Sequence, residues 1–282
     1  MLLVADSGST KCDWLISESG KEDGKFSTIG FNPYFRSAEN IKSEIRKNEA
    51  LCDVAPSVDR LYFYGAGISS AEMQDVVSTA LSSIFINAEL VVDHDLLGSV
   101  YATCGDQPGI SCILGTGSNA CYYDGVNIHQ AVPSLAYILG DEASGSYFGK
   151  ELITRYLYNE LPLEIHESFK AEFSLTKEDI FEAVYQKPNA NVYLASFMKF
   201  LGKHKDHGWV RGILFDGFNT FINTHISKYE NHREVPVHFV GSLAVHFQDI
   251  LRMACERHGV TVGKIIKKPV NSLLNYHWSK LC

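Results

Sequence analysis

The chain has 282 residues, 45% of them hydrophobic and 21% charged, which is the composition of a globular protein with one large domain or two moderate ones. Its formal net charge of -8 argues against a nucleic-acid partner held by bulk charge, but it leaves room for an anionic small ligand. The seven cysteines are odd in number and none forms a Cys-x-x-Cys pair, so we expect reduced thiols in a cytoplasmic protein, without a signal peptide or a membrane-spanning segment.

The first residues predict an antiparallel meander whose first turn is rich in hydroxyl groups. We expect strands at 2–5, 13–17 and 26–30. Two interpretations fit the first turn: an ordinary polar β-turn, or a phosphate-binding loop with Asp6 at its base, placed to hold a hydrated Mg²⁺. The candidate phosphate-binding residues are Ser7, Gly8, Ser9, Thr10 and Lys11. Lys11 either adds positive charge to this loop or faces solvent.

Helices and strands then alternate up to about residue 104. Helices are predicted at 37–51, 70–85 and 96–104, with strands at 60–64 and 90–92. Asp95 follows the last of these strands, at the carboxyl end where α/β sheets place their ligands. A helix N-cap is the other interpretation of Asp95, because Asp is a favoured cap. We interpret His94 as a solvated or core-edge residue and not as a ligand.

A second glycine-rich turn, Gly115-Thr116-Gly117-Ser118, separates predicted strands at 110–114 and 120–123. Its glycines permit positive φ and close approach of a ligand to the backbone, so a phosphate loop and a plain hairpin turn are both open. With the two residues that follow, the turn also fits the dinucleotide pattern G-x-G-x-x-G/A, but that pattern needs a helix where the sequence favours a strand. The run 65–67 precedes a predicted helix and is better placed for that alternative, although it lacks the third glycine.

The remaining sequence predicts further helices at about 140–158, 176–201, 209–229, 243–256 and 269–280, and strands at 237–240 and 260–266. Asp141 and Glu142 suit either a helix N-terminus or hydrogen bonds to a hydroxylated ligand. Gly241 and Ser242 lie between strand and helix, where they form a tight turn or allow a flat group to lie against the backbone.

The order of these motifs resembles the actin/Hsp70/sugar-kinase ATPase superfamily over nearly the full chain. Residues 6–10 match its first phosphate motif, 115–118 its second, and 241–242 its adenosine motif. Within the superfamily the chain is similar to the N-acetylglucosamine kinase-like members of the BadF/BadG/BcrA/BcrD family, through 115–119, 140–144 and the segment that Asp95 opens. The resemblance implies two α/β, ribonuclease-H-like domains with mixed five-stranded sheets and a central ATP cleft. The first would span 1–108 plus a C-terminal helix at about 269–282, and the second 109–268.

The resemblance also implies roles for the candidate residues. Asp95 is expected to accept the proton of a sugar 6-hydroxyl that attacks ATP, with Asp6 holding Mg²⁺ and Gly241 and Ser242 contacting adenosine. The implied sugar-binding residues are Asn32, Gly65, Asn119, Asp141 and Glu142. An activator or sugar-sensing protein of the same fold is the alternative, and the presence of Asp95 favours the kinase.

Three departures from related proteins are visible. The chain lacks the zinc-binding Cys/His cluster of ROK-type kinases, Cys104-Gly105-Asp106 does not match an iron–sulfur motif, and Val270-Asn271-Ser272 replaces an expected Asp-Gly. The expected partners are ATP and an amino sugar, with a homodimer as a further possibility. We expect no nucleic-acid or membrane partner.

Overall fold

A computed structural model of the protein describes residues 1–281 and divides them into two compact units, each with its own five-stranded mixed sheet. The first unit comprises Met1–Gln107 and the segment from Lys268 onward, and the second comprises Pro108–Lys267. The predicted pair of mixed five-stranded sheets is confirmed, and a single doubly wound sheet is excluded. Residue 282, the predicted end of the last helix, lies outside the described residues.

The first sheet has the strand order β3-β2-β1-β4-β5. Its strands are β1 (Leu2–Ser7), β2 (Lys11–Ser17), β3 (Gly24–Ile29), β4 (Arg60–Gly65) and β5 (Glu89–His94). β1, β2 and β3 are antiparallel, while β4 and β5 run parallel to β1, so the ends of β1, β4 and β5 meet at one edge of the sheet. Asp6 on β1 lies directly opposite Asp13 on β2.

The helices of the first unit are α1 (Ala38–Arg46), α2 (Glu49–Val54), α3 (Ala71–Ser82), α4 (Asp95–Thr103) and α14 (Val270–Leu281), with a 3-10 turn at Ala55–Ser57. The single helix predicted at 37–51 is wrong: Asn48 interrupts it, because its side chain accepts a hydrogen bond from Leu51 N at 3.1 Å and starts a new helix. The core of this unit is built around Trp14, which is fully buried between the rings of Phe31, Phe63 and Phe85.

The second sheet repeats the topology of the first, with the order β10-β9-β6-β7-β8. Its strands are β6 (Gly109–Leu114), β7 (Ser118–Tyr123), β8 (Ile128–His129), β9 (Val237–Val240) and β10 (Val262–Ile266). β6, β7 and β8 are antiparallel, and β9 and β10 are parallel to β6. Since the turn at 115–117 leads into strand β7, the dinucleotide interpretation of this turn is wrong.

The helices of the second unit are α5 (Ala136–Leu139), α6 (Gly145–Leu157), α7 (Leu163–Phe173), α8 (Lys177–Phe181), α9 (Ala190–Ser196), α10 (Met198–Lys203), α11 (Gly208–Phe221), α12 (Ser242–His246) and α13 (Gln248–Arg257). π-helical turns follow α8 at Glu182–Gln186 and α11 at Ile222–Ile226.

Two helix predictions for the second unit are wrong in extent. The helix expected at 176–201 is broken at Pro188 and Asn189, because proline cannot continue a helix and Asn189 takes a left-handed φ of 62°. α7 was not predicted at all. Across residues 1–281, no helix has both the length and the apolar character that a bilayer crossing demands.

Candidate functional site

The loop between β1 and β2 is a tight turn whose exposed part is shorter than expected. Gly8 N donates to Lys11 O at 3.0 Å, which closes the turn. Ser7 is fully buried, and its hydroxyl accepts a hydrogen bond from Phe31 N at 2.8 Å. The Ser7 side chain therefore holds the loop from behind and does not face a ligand, whereas residues 8–10 are exposed.

A buried carboxylate that the sequence reasoning missed lies beside this loop. Asp13 is 5% exposed and forms ion pairs with Lys11 Nζ at 2.9 Å and Lys268 Nζ at 2.6 Å. Burial alone would raise the pKa of Asp13, but the hydrogen bonds from Lys268 and Lys11 hold it below its ordinary value. Lys11 is thus tied to Asp13, and it is neither a lone phosphate ligand nor a purely solvated lysine.

Asp95 is the first residue of α4, and the residue that caps this helix is His94. The His94 Nδ1 atom accepts the hydrogen bond from Leu97 N at 3.1 Å, so the interpretation of Asp95 as the N-cap is wrong. Burial raises the pKa of Asp95 above its usual range, against the opposing effects of His94 and of the Leu96 N–H. Asp93 accepts a hydrogen bond from the backbone N–H of His94 at 2.7 Å. Asp95 is therefore a half-buried carboxyl group that the helix does not require as its cap.

Asn32 lies against the turn after β4. Its Oδ1 accepts from Tyr34 N at 3.0 Å, and a Cβ atom placed on Gly67 would lie only 2.3 Å from this oxygen. Gly67 also has a φ of +81°, so two constraints favour glycine there. The predicted site residue Gly65 is buried in contact with side chains of its own unit, and Gly67 is the glycine that touches Asn32.

In the second unit the turn Gly115–Gly117 is bound to the start of α6. Gly145 N donates to Gly115 O at 2.8 Å, and Ser146 N donates to Thr116 O at 3.0 Å. Neither Gly115 nor Gly117 has a positive φ, so the expected use of glycine conformational freedom here is wrong. What requires a small residue at 117 is the carboxylate of Asp141, whose Oδ2 would lie 2.9 Å from an added Cβ.

The segment before α6 places both predicted carboxylates near this turn. Asp141 Oδ1 accepts from Ser118 N at 3.2 Å, and the Ser118 hydroxyl donates to Glu142 O at 2.7 Å. Burial raises the pKa of Asp141, opposed by the Ser118 N–H. The carboxylate of Glu142 is paired with the buried His225, at 2.9 Å between Oε2 and Nε2. The helix expected from residue 140 starts at Gly145, with Ser144 as its N-cap.

Asn119 is half-buried on β7, next to this turn. Its Oδ1 accepts hydrogen bonds from Ala120 N at 2.9 Å and from Gln130 Nε2 at 3.2 Å. The side-chain oxygen of Asn119 is thus already engaged within the second unit.

A cavity of about 570 Å³ in the second unit brings together the second glycine-rich turn and the turn after β9. Its lining includes the predicted residues Gly115, Thr116 and Ser242, and the unpredicted residues Met198, Lys199, Lys203, Val245, His246, Phe247 and Lys267. Gly241 supports this arrangement from behind: it has a φ of +132°, and an added Cβ would lie 2.1 Å from Leu114 O. The lining combines apolar side chains with Lys199, Lys203 and Lys267, of which Lys203 is paired with Glu172 at 2.7 Å. This combination suits an anionic ligand with a flat apolar part.

Comparison with known proteins identifies a relative that covers the whole chain. The protein is 38% identical to a protein from Porphyromonas gingivalis described as a putative N-acetylglucosamine kinase, over 100% of both chains and with a TM-score of 0.95. The chain belongs to this family of sugar kinases with the actin-like ATPase fold.

More distant solved structures share the fold. A Chromobacterium violaceum protein with the same description is 15% identical over 98% of both chains, with a TM-score of 0.70. A ROK family glucokinase from Streptomyces griseus, solved with glucose and AMPPNP, is 13% identical over 98% of this chain and 97% of that chain, with a TM-score of 0.59. No family model matches the sequence, and no curated protein sequence matches it.

In this sugar kinase, the environment of Asp6 is that expected of a carboxylate that binds a cation. Burial raises its pKa to about 7, and the negative charges of Asp95 and Asp13 add to the shift. Within residues 1–281 there is no cluster of three or more His, Cys, Asp or Glu side chains arranged to hold a metal. One carboxylate supplemented by water and phosphate oxygens is the coordination that Mg²⁺ commonly takes, so the residues present fit a hydrated Mg²⁺.

The residues that sequence reasoning missed contact partners that are distant in the sequence. Asp13 meets Lys268, and Glu142 meets His225. Gly30 was also missed: an added Cβ there would lie 2.0 Å from Gly8 O, so it allows the loop to pack closely. The one available signal is the glycine that ends the predicted third strand.

Proposed function

We propose that this sugar kinase transfers the γ-phosphoryl group of ATP to the 6-hydroxyl of an amino sugar, most specifically N-acetylglucosamine. The observation that carries the proposal is Asp95, a half-buried carboxyl at the end of β5 whose pKa is raised and which is not needed as a helix cap. The 38% identical relative described as a putative N-acetylglucosamine kinase supports the choice of acceptor.

Asp95 would act as the general base. Phosphoryl transfer depends mainly on positioning and charge neutralisation, and the attacking hydroxyl must also lose its proton. A base works best when its pKa lies near the operating pH, so the upward shift caused by burial favours this role.

The cavity of the second unit would hold the nucleoside part of ATP. Gly241 and Ser242 would let the adenosine lie against the backbone, and the turn of Gly115, Thr116 and Gly117 would bind phosphate oxygens, chiefly through Thr116 and Gly117. Ser118 would support this turn, because its N–H and its hydroxyl donate to Asp141 and to Glu142 O. In the first unit we assign phosphate contacts to Gly8, Ser9 and Thr10. Ser7 would only support the loop, and Lys11 would add charge beside it while paired with Asp13.

Asp6 would hold Mg²⁺ through water. A bound Mg²⁺ supplies positive charge that neutralises the phosphate oxygens. The raised pKa of Asp6 supports this assignment, because burial and the charges of Asp95 and Asp13 outweigh the opposing charge of Lys268 at that carboxyl group.

Polar residues that the sequence resemblance assigns to the sugar would bind it. We assign contacts with its hydroxyl and N-acetyl groups to Asn32 and to the backbone at Gly65, with Gly67 fixing the position of Asn32. The second unit would contribute Asn119, Asp141 and Glu142. Several directional partners are needed, because a polyhydroxylated ring loses affinity wherever one of its hydroxyl groups stays unpaired.

A panel assay tests the proposal. ADP release would be measured with N-acetylglucosamine, glucosamine and N-acetylmuramic acid, and the product position would be identified by NMR. We expect the highest kcat/KM with N-acetylglucosamine and a 6-phosphate product. If ADP release does not depend on any sugar, the protein is not a sugar kinase, and the activator or sensing alternative gains support.

A further inference from the structure

The backbone around Glu142 is held in a conformation that ordinary residues rarely adopt. Asp141 and Ala143, on either side of it, have φ values of +54° and +57°. Positive φ is unfavourable for a residue with a Cβ, and such strain persists only where surrounding contacts impose it. Here the contacts come from Ser118, which bonds to Asp141 and to the Glu142 carbonyl, and from Ser144 N, which donates to Asp141 O at 3.0 Å.

The side chain of Glu142 is held by a second element far along the chain. Its Oε2 lies 2.9 Å from Nε2 of His225, and the two side chains are 19% and 6% exposed. His225 belongs to the π-helical turn Ile222–Ile226, and its ring packs against Phe221 with the centroids 4.9 Å apart. π-helical turns inside helices occur frequently at functional sites, because the extra residue redirects side chains.

The hydrogen bonds of the His225 ring are unequal at its two nitrogens. Within residues 1–281 its Nδ1 atom is buried and has no hydrogen-bond partner. An unpaired buried polar atom is unfavourable, so a stability-driven site would satisfy both ring nitrogens or replace the histidine by an apolar residue. Among residues 1–281, Glu142 is the hydrogen-bond partner of this ring, and it is the more exposed of the two side chains.

We infer that His225 is a positioning residue for the acceptor sugar, because it donates from Nε2 to Glu142 and fixes the direction in which the carboxylate accepts sugar hydroxyls. This inference rests on the proposed function and on the assignment of Glu142 to the sugar. One carboxylate oxygen is taken by the histidine, so the other is left with a fixed orientation toward a ligand. A carboxylate held in this way selects for a hydroxyl group over a hydrogen atom, since a missing donor leaves a desolvated acceptor unpaired.

The test compares His225→Phe, His225→Gln and a control, His238→Phe. The phenyl ring is planar and aromatic like imidazole, although larger, and it cannot donate, whereas the Gln amide nitrogen can replace the Nε2 donor. His238 is an equally buried histidine of the same unit, 6% exposed, which accepts one hydrogen bond from Lys264 N at 2.9 Å. It has no place in the proposed site, so it controls for the loss of a buried ring.

For His225→Phe we expect the KM for the sugar to rise roughly 10- to 100-fold, with the KM for ATP changed less than about threefold. His225→Gln should recover most of the affinity. The wild type should prefer the sugar over one of its monodeoxy analogues, and His225→Phe should reduce that preference to a few-fold.

Three outcomes would count against the inference. If the sugar KM and the deoxy preference in His225→Phe match those of His238→Phe, the pair only holds the segment 140–144 in place. The same conclusion follows if ATP and sugar binding fall equally. If His225→Phe does not fold, His225→Met takes its place, because it also lacks a donor, and a sugar KM and deoxy preference equal to those of the wild type there contradict the role. A wild type that phosphorylates no sugar overturns the proposed function as well, which separates the two failures.

Discussion

At the scale of single residues, Asp95 is the position where a catalytic role can best be tested apart from a structural one. Replacing Asp95 by Asn keeps its size and removes its ability to take a proton, while the helix keeps His94 as its cap. We expect kcat for sugar phosphorylation to fall by roughly two to four orders of magnitude, with ATP affinity and melting temperature nearly unchanged. Steady-state kinetics, nucleotide titration and thermal unfolding measure the three quantities.

The matched control is Asp93→Asn, two residues earlier. The Asp93 carboxylate accepts from the backbone N–H of His94, and the Asn oxygen can accept the same bond, so Asp93→Asn should lower kcat far less than Asp95→Asn does. A larger drop in kcat for Asp93→Asn than for Asp95→Asn would show that the general base is assigned to the wrong carboxylate.

The raised pKa of Asp95 also predicts the pH dependence of the wild type. Its kcat/KM should fall as the pH is lowered, and the fall should begin at a higher pH than for a base with an ordinary Asp pKa.

At the scale of elements, the two glycines of the turn between β6 and β7 differ in the space available for a side chain. A Cβ on Gly115 would meet nothing nearer than Gly117 O at 3.8 Å, whereas one on Gly117 would press on the Asp141 carboxylate at 2.9 Å. Gly115 also lines the cavity of the second unit. A side chain added at 115 therefore enters open space in the cavity, and one added at 117 disturbs a carboxylate of the candidate site.

We accordingly expect Gly115→Val to weaken ATP binding at least about tenfold while the melting temperature stays within a few degrees of wild type. Gly117→Ala should lower stability and sugar affinity together, because Asp141 must move. Calorimetric titration with a non-hydrolysable ATP analogue and thermal unfolding of both variants provide the measurements. Unchanged nucleotide affinity in a folded Gly115→Val protein would show that this turn is an ordinary hairpin.

At the scale of the whole molecule, the repeated sheet topology is the feature of the fold that the sequence predicts well. Glycine-rich turns after strands occur twice in the same order, and both sheets have the strand order that this repetition implies. The contacts that orient the site were not predictable, since Lys268 reaches Asp13 across more than 250 positions and His225 reaches Glu142 from a π-helical turn. Periodicity reports which face of an element is buried, but it carries no information about which distant residue meets it.

The end of the chain returns to the first unit, and His277 on α14 links it to β4. His277 Nε2 lies 2.9 Å from the hydroxyl of Tyr64, and its ring stacks on Tyr62 with centroids 3.7 Å apart. Burial lowers the pKa of His277 to about 4. Above pH 6.5 the ring is neutral in both the folded and the unfolded chain, so its stabilising contribution is complete there.

As the pH falls from 6.5 toward 4, His277 becomes protonated in the unfolded chain but stays mostly neutral in the folded protein. Folding stability should then drop by up to about 3 kcal/mol through this one group. His277→Phe keeps the ring stacking but cannot titrate, so its stability should decline less over this window. Tyr64→Phe is the control, because it removes the same hydrogen bond and retains the titrating imidazole.

The measurement is urea unfolding at pH 7 and pH 4.5, followed by tryptophan fluorescence in a Trp209→Phe background. Trp14 and Trp278 both belong to the first unit, so the signal then reports on that unit alone. His238 in the second unit also has a pKa lowered to about 4 by burial, which makes this separation necessary. If the free energy of unfolding of the first unit falls equally between the two pH values in wild type and in His277→Phe, then His277 is not the group that makes the stability of this unit depend on pH.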